Sequence, residues 1–204
     1  MTLRFATRLF AALALLASTA VCAQPTPAAA PLDIRLEHDT EAERTTADEL
    51  RAVVAAYDVE EWIVTREVRI DASAIPHSHP VLTLHTRHNG QPLHLLSTFL
   101  HEQFHWWVME RPDELLAATT AFRRAWPEVP VGGGEGGRDE ESTYLHLVVC
   151  HLEYQAMAAL VGADEARAIL ESNNHYRWIY DRVLNDPQVD RIVRGAGLSV
   201  DEGR

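Results

Sequence analysis

The spacing of apolar residues predicts a short sheet near the start of the chain. Residues 33–37 alternate apolar and charged positions, which is typical of a half-buried strand. Residues 62–70 and 81–86 are rich in β-branched and aromatic side chains and predict two further strands. Between the first two strands, apolar residues recur at helical spacing after Thr46, the expected N-cap, with Glu49 three residues on. We expect this helix to cover the sheet.

Beyond residue 90 the period of the apolar positions becomes helical. A stripe of apolar residues from His94 predicts one helix that ends at Pro112, where a second helix starts and continues to about Trp126. Ser142 is the expected cap of a long helix over residues 144–161. Two or three short helices follow, beginning near Ala163, His175 and Pro187. Strands and helices are segregated along the chain, which predicts the α+β class.

A glycine-rich segment interrupts the helical part over residues 129–141. It contains five glycines between Gly132 and Gly137 and has no apolar spacing, so we expect a mobile loop. Glycine-rich loops can bind phosphate, but this one has no lysine and lacks the Lys-Ser or Lys-Thr ending of nucleotide-binding loops. The sequence therefore does not predict a nucleotide site here.

The first residues have the pattern of an export signal. Arg4 and Arg8 precede a short apolar run over residues 9–22, which predicts a secretory signal peptide over residues 1–23. The run is shorter than the roughly 18 apolar residues of a membrane span, so no membrane anchor is expected after cleavage. We expect a flexible leader over residues 24–31 and a periplasmic or secreted location.

Composition narrows the classes of structure and partner. A chain of 204 residues with 47% hydrophobic content is expected to form a single domain, over residues 32–204. The formal net charge is −12, and loss of Arg4 and Arg8 with the signal peptide makes it −14. This charge repels phosphate backbones and anionic lipid, so nucleic acid is excluded as a main partner. Cys150 is the one cysteine left after cleavage, so no internal disulfide is expected.

The sequence His101-Glu102-Gln103-Phe104-His105 lies within the first of the predicted long helices. Two histidines four residues apart project from the same helix face and can bind one cation together. Glu102 lies beside them and is placed to act as general base toward a water molecule at that cation. This helical HExxH pattern predicts a metal site, with zinc as the expected ion.

With the strand over residues 81–86 before it, the motif resembles the zincin superfamily of metallopeptidases. The metzincin branch is excluded, because Val108 and Arg111 stand where that branch has a glycine and a third histidine. The chain is similar to the gluzincin branch, which takes its third zinc ligand, a glutamate, from a later helix; Glu153 fits that position in the helix 144–161. The resemblance implies a zinc-dependent hydrolase acting on a peptide or protein substrate, which pairs as an extended chain with the preceding strand.

Two histidines compete with Glu153 for the place of third ligand. His146 shares a helix face with Glu153 but lies about 10 Å from it along the axis, so the two are not expected to bind one ion together. We rank Glu153 first, His146 second and His151 third, because His151 points away from both. Cys150 lies on the same side as His146, where it is either a buried hydrophobe or half of a Cys-His nucleophile pair.

The resemblance also implies a later histidine or tyrosine that donates a hydrogen bond to the oxyanion formed during hydrolysis. The candidates are His146, His175, Tyr176 and Tyr180. Tyr176 equally fits the apolar stripe of a core helix, so a purely structural role is the alternative for it.

Five further histidines precede the motif and support a different function. They are His77, His79, His85, His88 and His94. Such a run can collect zinc or copper, so a noncatalytic metal-binding or metal-buffering protein is the alternative hypothesis. Prolines flank His77 and His79, which favours an exposed turn for these two residues. No pattern in the sequence indicates the oligomeric state.

Overall fold

Three strands and seven α-helices form the part of the protein that the computed structural model describes, residues 30–200. The strands are β1 (Asp33–Leu36), β2 (Glu67–Ile70) and β3 (Leu82–Leu84). The helices are α1 (Glu41–Ala56), α2 (Pro92–Met109), α3 (Pro112–Ala125), α4 (Glu140–Val161), α5 (Ala163–Glu171), α6 (Arg177–Asn185) and α7 (Pro187–Gly195). This order confirms the predicted α+β class. The predicted signal peptide over residues 1–23 and nearly all of the predicted leader lie outside the described residues.

The sheet has the strand order β1-β2-β3, and neighbouring strands run parallel. α1 connects β1 to β2 and packs against both, as a crossover between parallel strands does. Val68 and Ile70 of β2 and Leu82 and Leu84 of β3 are fully buried. Because β3 and α1 also contact α2, the sheet supports the helix that carries the HExxH motif.

The second strand is shorter than the pattern predicted. Residues 60–62 form a turn of 3₁₀ helix, and the strand begins only at Glu67. A side chain holds the intervening backbone instead, since the N–H groups of Val64 and Thr65 donate to Gln103 Oε1 at 2.9 and 3.0 Å. Gln103 also donates from Nε2 to the Thr65 carbonyl oxygen at 2.7 Å, so this residue of the motif fixes α2 against the sheet.

The start of α1 also differs from the prediction. The helix begins at Glu41 with Thr40 as its N-cap, and Thr40 and Glu43 form a reciprocal capping box. Thr46 lies inside the helix, where its hydroxyl donates to the backbone one turn earlier. Thr40 with Glu43 and Thr46 with Glu49 both fit the sequence pattern of a capping box. Glu43, however, is buried and accepts hydrogen bonds from two further backbone N–H groups, which favours the earlier cap.

α4 is the central helix, because it contacts α2, α3, α5, α6 and α7. By length and composition it is the one helix between residues 30 and 200 that could cross a membrane, but 67% of its apolar window is buried within the protein, as in a core helix. Asp139 caps it in place of the predicted Ser142, whose N–H donates to the Asp139 carboxylate at 2.7 Å. The other predicted helices are present, with α2 starting slightly earlier and α6 slightly later than expected.

The glycine-rich segment before α4, predicted as a mobile loop, is joined to the rest of the fold by hydrogen bonds. Gly132 N–H donates to the Gly137 carbonyl at 2.7 Å, and Gly137 N–H donates to Thr143 Oγ1 at 2.9 Å. The carbonyls of Gly134 and Glu135 accept the first two N–H groups of α6 at 3.0 and 3.2 Å. These bonds join segments distant in sequence, so composition alone does not reveal them.

Replacing Gly136 with alanine is expected to destabilise this loop. An added Cβ atom would lie 1.8 Å from the Pro130 carbonyl oxygen, so the backbone must move, at a cost of about 1–3 kcal/mol in free energy of unfolding. Gly195→Ala at the end of α7 is the matched control, because an added Cβ there meets nothing within 4 Å. Urea denaturation measures both variants, and equal midpoints would contradict the packing described.

Candidate metal centre

Polar side chains from α2 and α4 meet in the interior. Ser97, His101 and His105 follow one another at intervals of four on α2 and therefore share a face. His146 and Glu153 are seven residues apart on α4, about two turns, and therefore also share a face. All of these except the half-buried His105 are buried. Buried polar groups need hydrogen-bond partners, and these two helices, which pack on each other, supply them reciprocally.

His101, His105 and His146 form one cluster. One ring nitrogen from each lies within 4.8 Å of the other two. The ring centroids are 5.1 Å apart for His101 and His105, 5.5 Å for His101 and His146, and 4.9 Å for His105 and His146. Three imidazoles at this spacing can converge on a single cation. The protein therefore contains a histidine cluster that could bind a metal ion.

Hydrogen bonds orient two of these rings. His101 Nδ1 lies 2.9 Å from Glu153 Oε2, and His146 Nδ1 lies 2.6 Å from the Ser142 carbonyl oxygen. A carboxylate and a carbonyl only accept, so Nδ1 is the donor in both rings and Nε2 is the nitrogen available to a cation. Metal-ligating histidines are normally held in this way by a hydrogen bond from the second ring nitrogen.

Glu153 contacts His101 but lies outside the three-histidine cluster. Besides His101, both Ser97 Oγ and Tyr180 Oη donate to its carboxylate, the latter at 2.9 Å. A second group that could hold a metal consists of His101, Cys150 and Glu153. In that group the His101 and Glu153 atoms are already hydrogen-bonded to each other, so protein donors engage both oxygens of the carboxylate.

Burial and neighbouring charge set the protonation of the cluster. Burial lowers the pKa of His105 to about 2 and the pKa of His146 to about 3, so both rings are neutral near pH 7 and keep a lone pair. Burial is the largest single influence on His101 and acts to lower its pKa, but the Glu153 carboxylate and Cys150 together raise that pKa well above its ordinary value. His101 is therefore an imidazolium paired with Glu153 in the metal-free protein, and a cation must displace its proton.

Glu102 faces the same region without belonging to the cluster. Its side chain is buried, and this burial raises its pKa to about 7, against the lowering effect of positive charge at His101 and His77. A carboxyl group that titrates near neutral pH can both accept and return a proton.

The cluster and Glu102 line a cleft of about 1220 Å³. Residues 75–79 form one wall, the end of α2 with the start of α3 forms a second, and the glycine-rich loop with the start of α4 forms a third. The volume exceeds the roughly 300–1000 Å³ of common small-molecule pockets. The cluster thus faces an open cleft, whereas a purely structural metal site is closed.

Tyr176 lies over the cluster. Its ring centroid is 4.2 Å from that of His146 and 6.0 Å from that of His101. Its backbone is left-handed, with φ 59°, immediately before the helix start that the glycine-rich loop holds. Burial raises the pKa of its hydroxyl, which therefore remains a neutral donor. Of the other predicted donors, Tyr180 already donates its hydroxyl hydrogen to Glu153, and His175 is an exposed residue that lines the cleft.

Cys150 does not form the nucleophile pair that the sequence left open. The thiol is fully buried and interacts with His101 and Tyr180 in place of His146. Burial raises its pKa, which keeps it a thiol and makes it a poor nucleophile. The buried environment agrees with the alternative of a structural cysteine.

The remaining predicted ligands lie elsewhere. His151 Nε2 is 3.3 Å from Asp190 Oδ1 of α7, outside the cluster. Among residues 30–200, no group that could hold a metal includes a member of the histidine run 77–94. A third such group consists of His38, Glu43 and Asp71. There Glu43 is already engaged by backbone N–H groups that order the start of α1.

The outer edge of β3 is already paired with another segment of the chain. The prediction that a substrate pairs with residues 81–86 is therefore wrong at Thr83, the centre of that segment. Thr83 N–H donates to the His77 carbonyl at 2.8 Å, and His77 N–H donates to the Thr83 carbonyl at 3.1 Å. Residues 75–79, and not the strand, line the cleft.

The sequence predictions did not place two serines in the site, and Ser142 was expected only as a helix cap. Ser97 precedes His101 by four residues and Ser142 precedes His146 by four, so helical spacing places each serine beside its histidine. That spacing is the signal that could have identified them. Tyr180 was expected as an oxyanion donor, but its hydroxyl binds Glu153 instead.

Comparison of the chain with protein-family models, with curated proteins and with solved structures finds no match.

Glu153→Gln is expected to lower the raised pKa of His101. The amide carries no charge to stabilise the imidazolium, so the lowering effect of burial is opposed less strongly and His101 loses its proton at a lower pH than in the wild type. NMR of ¹⁵N-labelled histidine in the metal-free protein measures the titration. His105 and His146 stay neutral in both proteins and serve as internal references, and an unchanged His101 titration would refute the ion pair.

Proposed function

We propose that the protein is an exported, zinc-dependent hydrolase that cuts peptide bonds, with His101, His105 and His146 as zinc ligands and Glu102 as general base. The observation that carries this proposal is the convergence, in one open cleft, of three imidazole nitrogens within 4.8 Å of one another and a buried carboxyl group whose pKa is about 7. Three protein ligands with an open position are typical of catalytic zinc. The basic and apolar pattern of residues 1–23 supports export.

The donor set fits zinc. Imidazole suits zinc well, whereas magnesium and calcium prefer oxygen ligands. Two of the rings are neutral without any metal, because burial lowers the pKa of His105 and of His146. Only His101 must lose a proton before it can act as a ligand.

His146 takes the place that the gluzincin resemblance implied for Glu153. We assign Glu153 the task of holding His101, since its carboxylate already accepts hydrogen bonds from Ser97, His101 and Tyr180. This ligand set departs from the gluzincin pattern. The proposed relation to zincins therefore rests on the HExxH segment alone.

The residues around the cluster have separate roles in the proposed hydrolysis. When bound, zinc supplies Lewis-acid chemistry, polarising a carbonyl oxygen and making water more acidic. Glu102 takes a proton as the water oxygen bonds to the carbonyl carbon, and returns it to the amide nitrogen as the C–N bond breaks. Tyr176, a neutral hydroxyl beside His146, donates to the oxygen on which negative charge develops. The exposed His175 is assigned no step.

The metal-buffering alternative has less support. It requires the histidine run 77–94 to add binding capacity, yet no group between residues 30 and 200 that could hold a metal includes one of those histidines. Metal storage has no use for an open cleft or for a buried carboxyl group beside the cluster. The proposed hydrolysis uses the cleft to admit a substrate and the carboxyl group of Glu102 as the base.

Zinc affinity is expected to separate ligands from supporting residues. His146→Ala removes a proposed ligand and should weaken binding far more than Glu153→Gln, for which a loss of roughly 10–100-fold is typical of an outer partner. His151→Ala is the control on the same helix and should bind zinc as the wild type does, because His151 faces Asp190. Competition with a chromophoric chelator measures each affinity. Wild-type binding by His146→Ala would overturn the assignment.

Glu102→Gln is expected to keep one zinc ion per chain but to lose hydrolysis of a mixed peptide library by at least about 100-fold, since general-base catalysis contributes about 10²–10⁴-fold. Glu110→Gln, the same change at an exposed residue near the end of α2, should remain active. Mass spectrometry of the library detects the products. Turnover at the wild-type rate by Glu102→Gln, or none by the zinc-loaded wild type, would end the proposal.

A further inference from the structure

The exposed apolar side chains of the protein gather at the cleft. Four large hydrophobic residues between residues 30 and 200 are more than half exposed, namely Ile75 (79%), Leu116 (64%), Met109 (60%) and Val131 (52%). The first three line the cleft that contains the histidine cluster, and Val131 directly precedes its glycine-rich wall. Single exposed hydrophobic residues are common, but their concentration in one concave region marks a binding surface.

Two of these residues continue directly from the metal cluster. Met109 follows His105 by four residues on α2, so the two share a face and lie about 6 Å apart along the axis. Leu116 stands on the first turns of α3, where Pro112 and Leu115 also line the cleft. The end of α2 and the start of α3 thus form an apolar wall that begins one helical turn beyond the proposed ligand His105.

Residues 75–79, which form another wall of the cleft, are held in place by contacts within the protein. Trp106 Nε1 donates to the Ser78 carbonyl oxygen at 2.9 Å, and the Trp106 ring stacks on His79 with centroids 4.0 Å apart. His77 is bonded to Thr83 of β3 through both backbone groups. The segment that presents Ile75 is therefore anchored to α2 and to the sheet, so the apolar surface is largely preformed.

Charge is segregated from this wall. Apart from His101, Glu102 and Glu153 of the site itself, the charged groups that line the cleft stand on other segments, with Arg87 before α2 and Arg138, Asp139 and Glu141 around the start of α4. A charged side chain placed against Met109 and Leu116 would lose hydration without gaining a partner. An apolar side chain would displace water from both surfaces.

We propose that this wall, with Met109 and Leu116, and the facing Ile75 together form a subsite for a large apolar side chain, such as leucine or phenylalanine, next to the peptide bond that is cut. The assignment of the occupant as part of a peptide rests on the proposed hydrolase function. The subsite itself is a property of the metal-free cleft, and it selects substrates by apolar burial.

Methionine methyl NMR tests the subsite without metal or turnover. Met109 lies in the proposed subsite, and the fully buried Met157 of α4 is an internal control in the same chain. The metal-free full chain, labelled with [¹³C-methyl]methionine and assigned with Met109→Leu, is titrated with acetyl-Ala-Xaa-Ala-amide in which Xaa is leucine, phenylalanine, serine or aspartate. The leucine and phenylalanine peptides should shift the Met109 signal at concentrations at least about tenfold lower than the other two, and the Met157 signal should not move.

Substitution of the wall gives the matching control. Leu116→Ser should weaken binding of the leucine peptide about fivefold or more while leaving the serine peptide unaffected, since it removes apolar area from a surface residue. Val131→Ser, at an exposed residue outside the cleft lining, should leave both unchanged. Equal binding of all four peptides, or a preference that survives both Leu116→Ser and Ile75→Ser, would overturn the subsite. Neither result bears on the Glu102 variant, and failure of hydrolysis would leave these shifts intact.

Discussion

The structure depends on pairing a line of polar side chains inside the interface between α2 and α4. Glu153 is almost completely buried, and a buried carboxylate stripped of its partner costs about 3–5 kcal/mol. Ser97 and His101 of α2 and Tyr180 of α6 satisfy it. Ser97 pairs with Glu153 while His105 contacts His146 about two turns away, so the two helices run antiparallel in a register that these contacts specify.

Helical periodicity was sufficient to predict most of this arrangement. The four-residue spacing of His101 and His105 placed them on one face, and the apolar stripe around them identified the helix that carries them. The same periodicity on α4 correctly put His146 and Glu153 on one side while holding that they would not bind one ion together. In the structure, His146 joins the histidine cluster and Glu153 contacts Nδ1 of His101, so the two act on the same histidine in different ways.

What sequence patterns could not decide depends on contacts between distant segments. The choice between His146 and Glu153 follows from how far α4 is shifted along α2, and no local pattern records that shift. The cap of α1 depends on Glu43 bonding to residues after β2, and the order of the glycine-rich loop depends on α6. In each case a contact between distant segments decides what a local preference leaves open.

The same contacts set the protonation of the histidine cluster that could bind a cation. His105 and His146 are neutral because burial and the neighbouring positive charge of His101 both oppose their protonation. The Glu153 carboxylate behind His101 is the largest influence that raises the pKa of His101 and favours its charged form. A divalent ion that replaced the His101 proton would gain three nitrogens, two of them on rings oriented by hydrogen bonds, and would still face the Glu153 charge through the ring. Since the unfolded chain offers no such arrangement, binding of such an ion would stabilise the fold through the polar interface between α2 and α4.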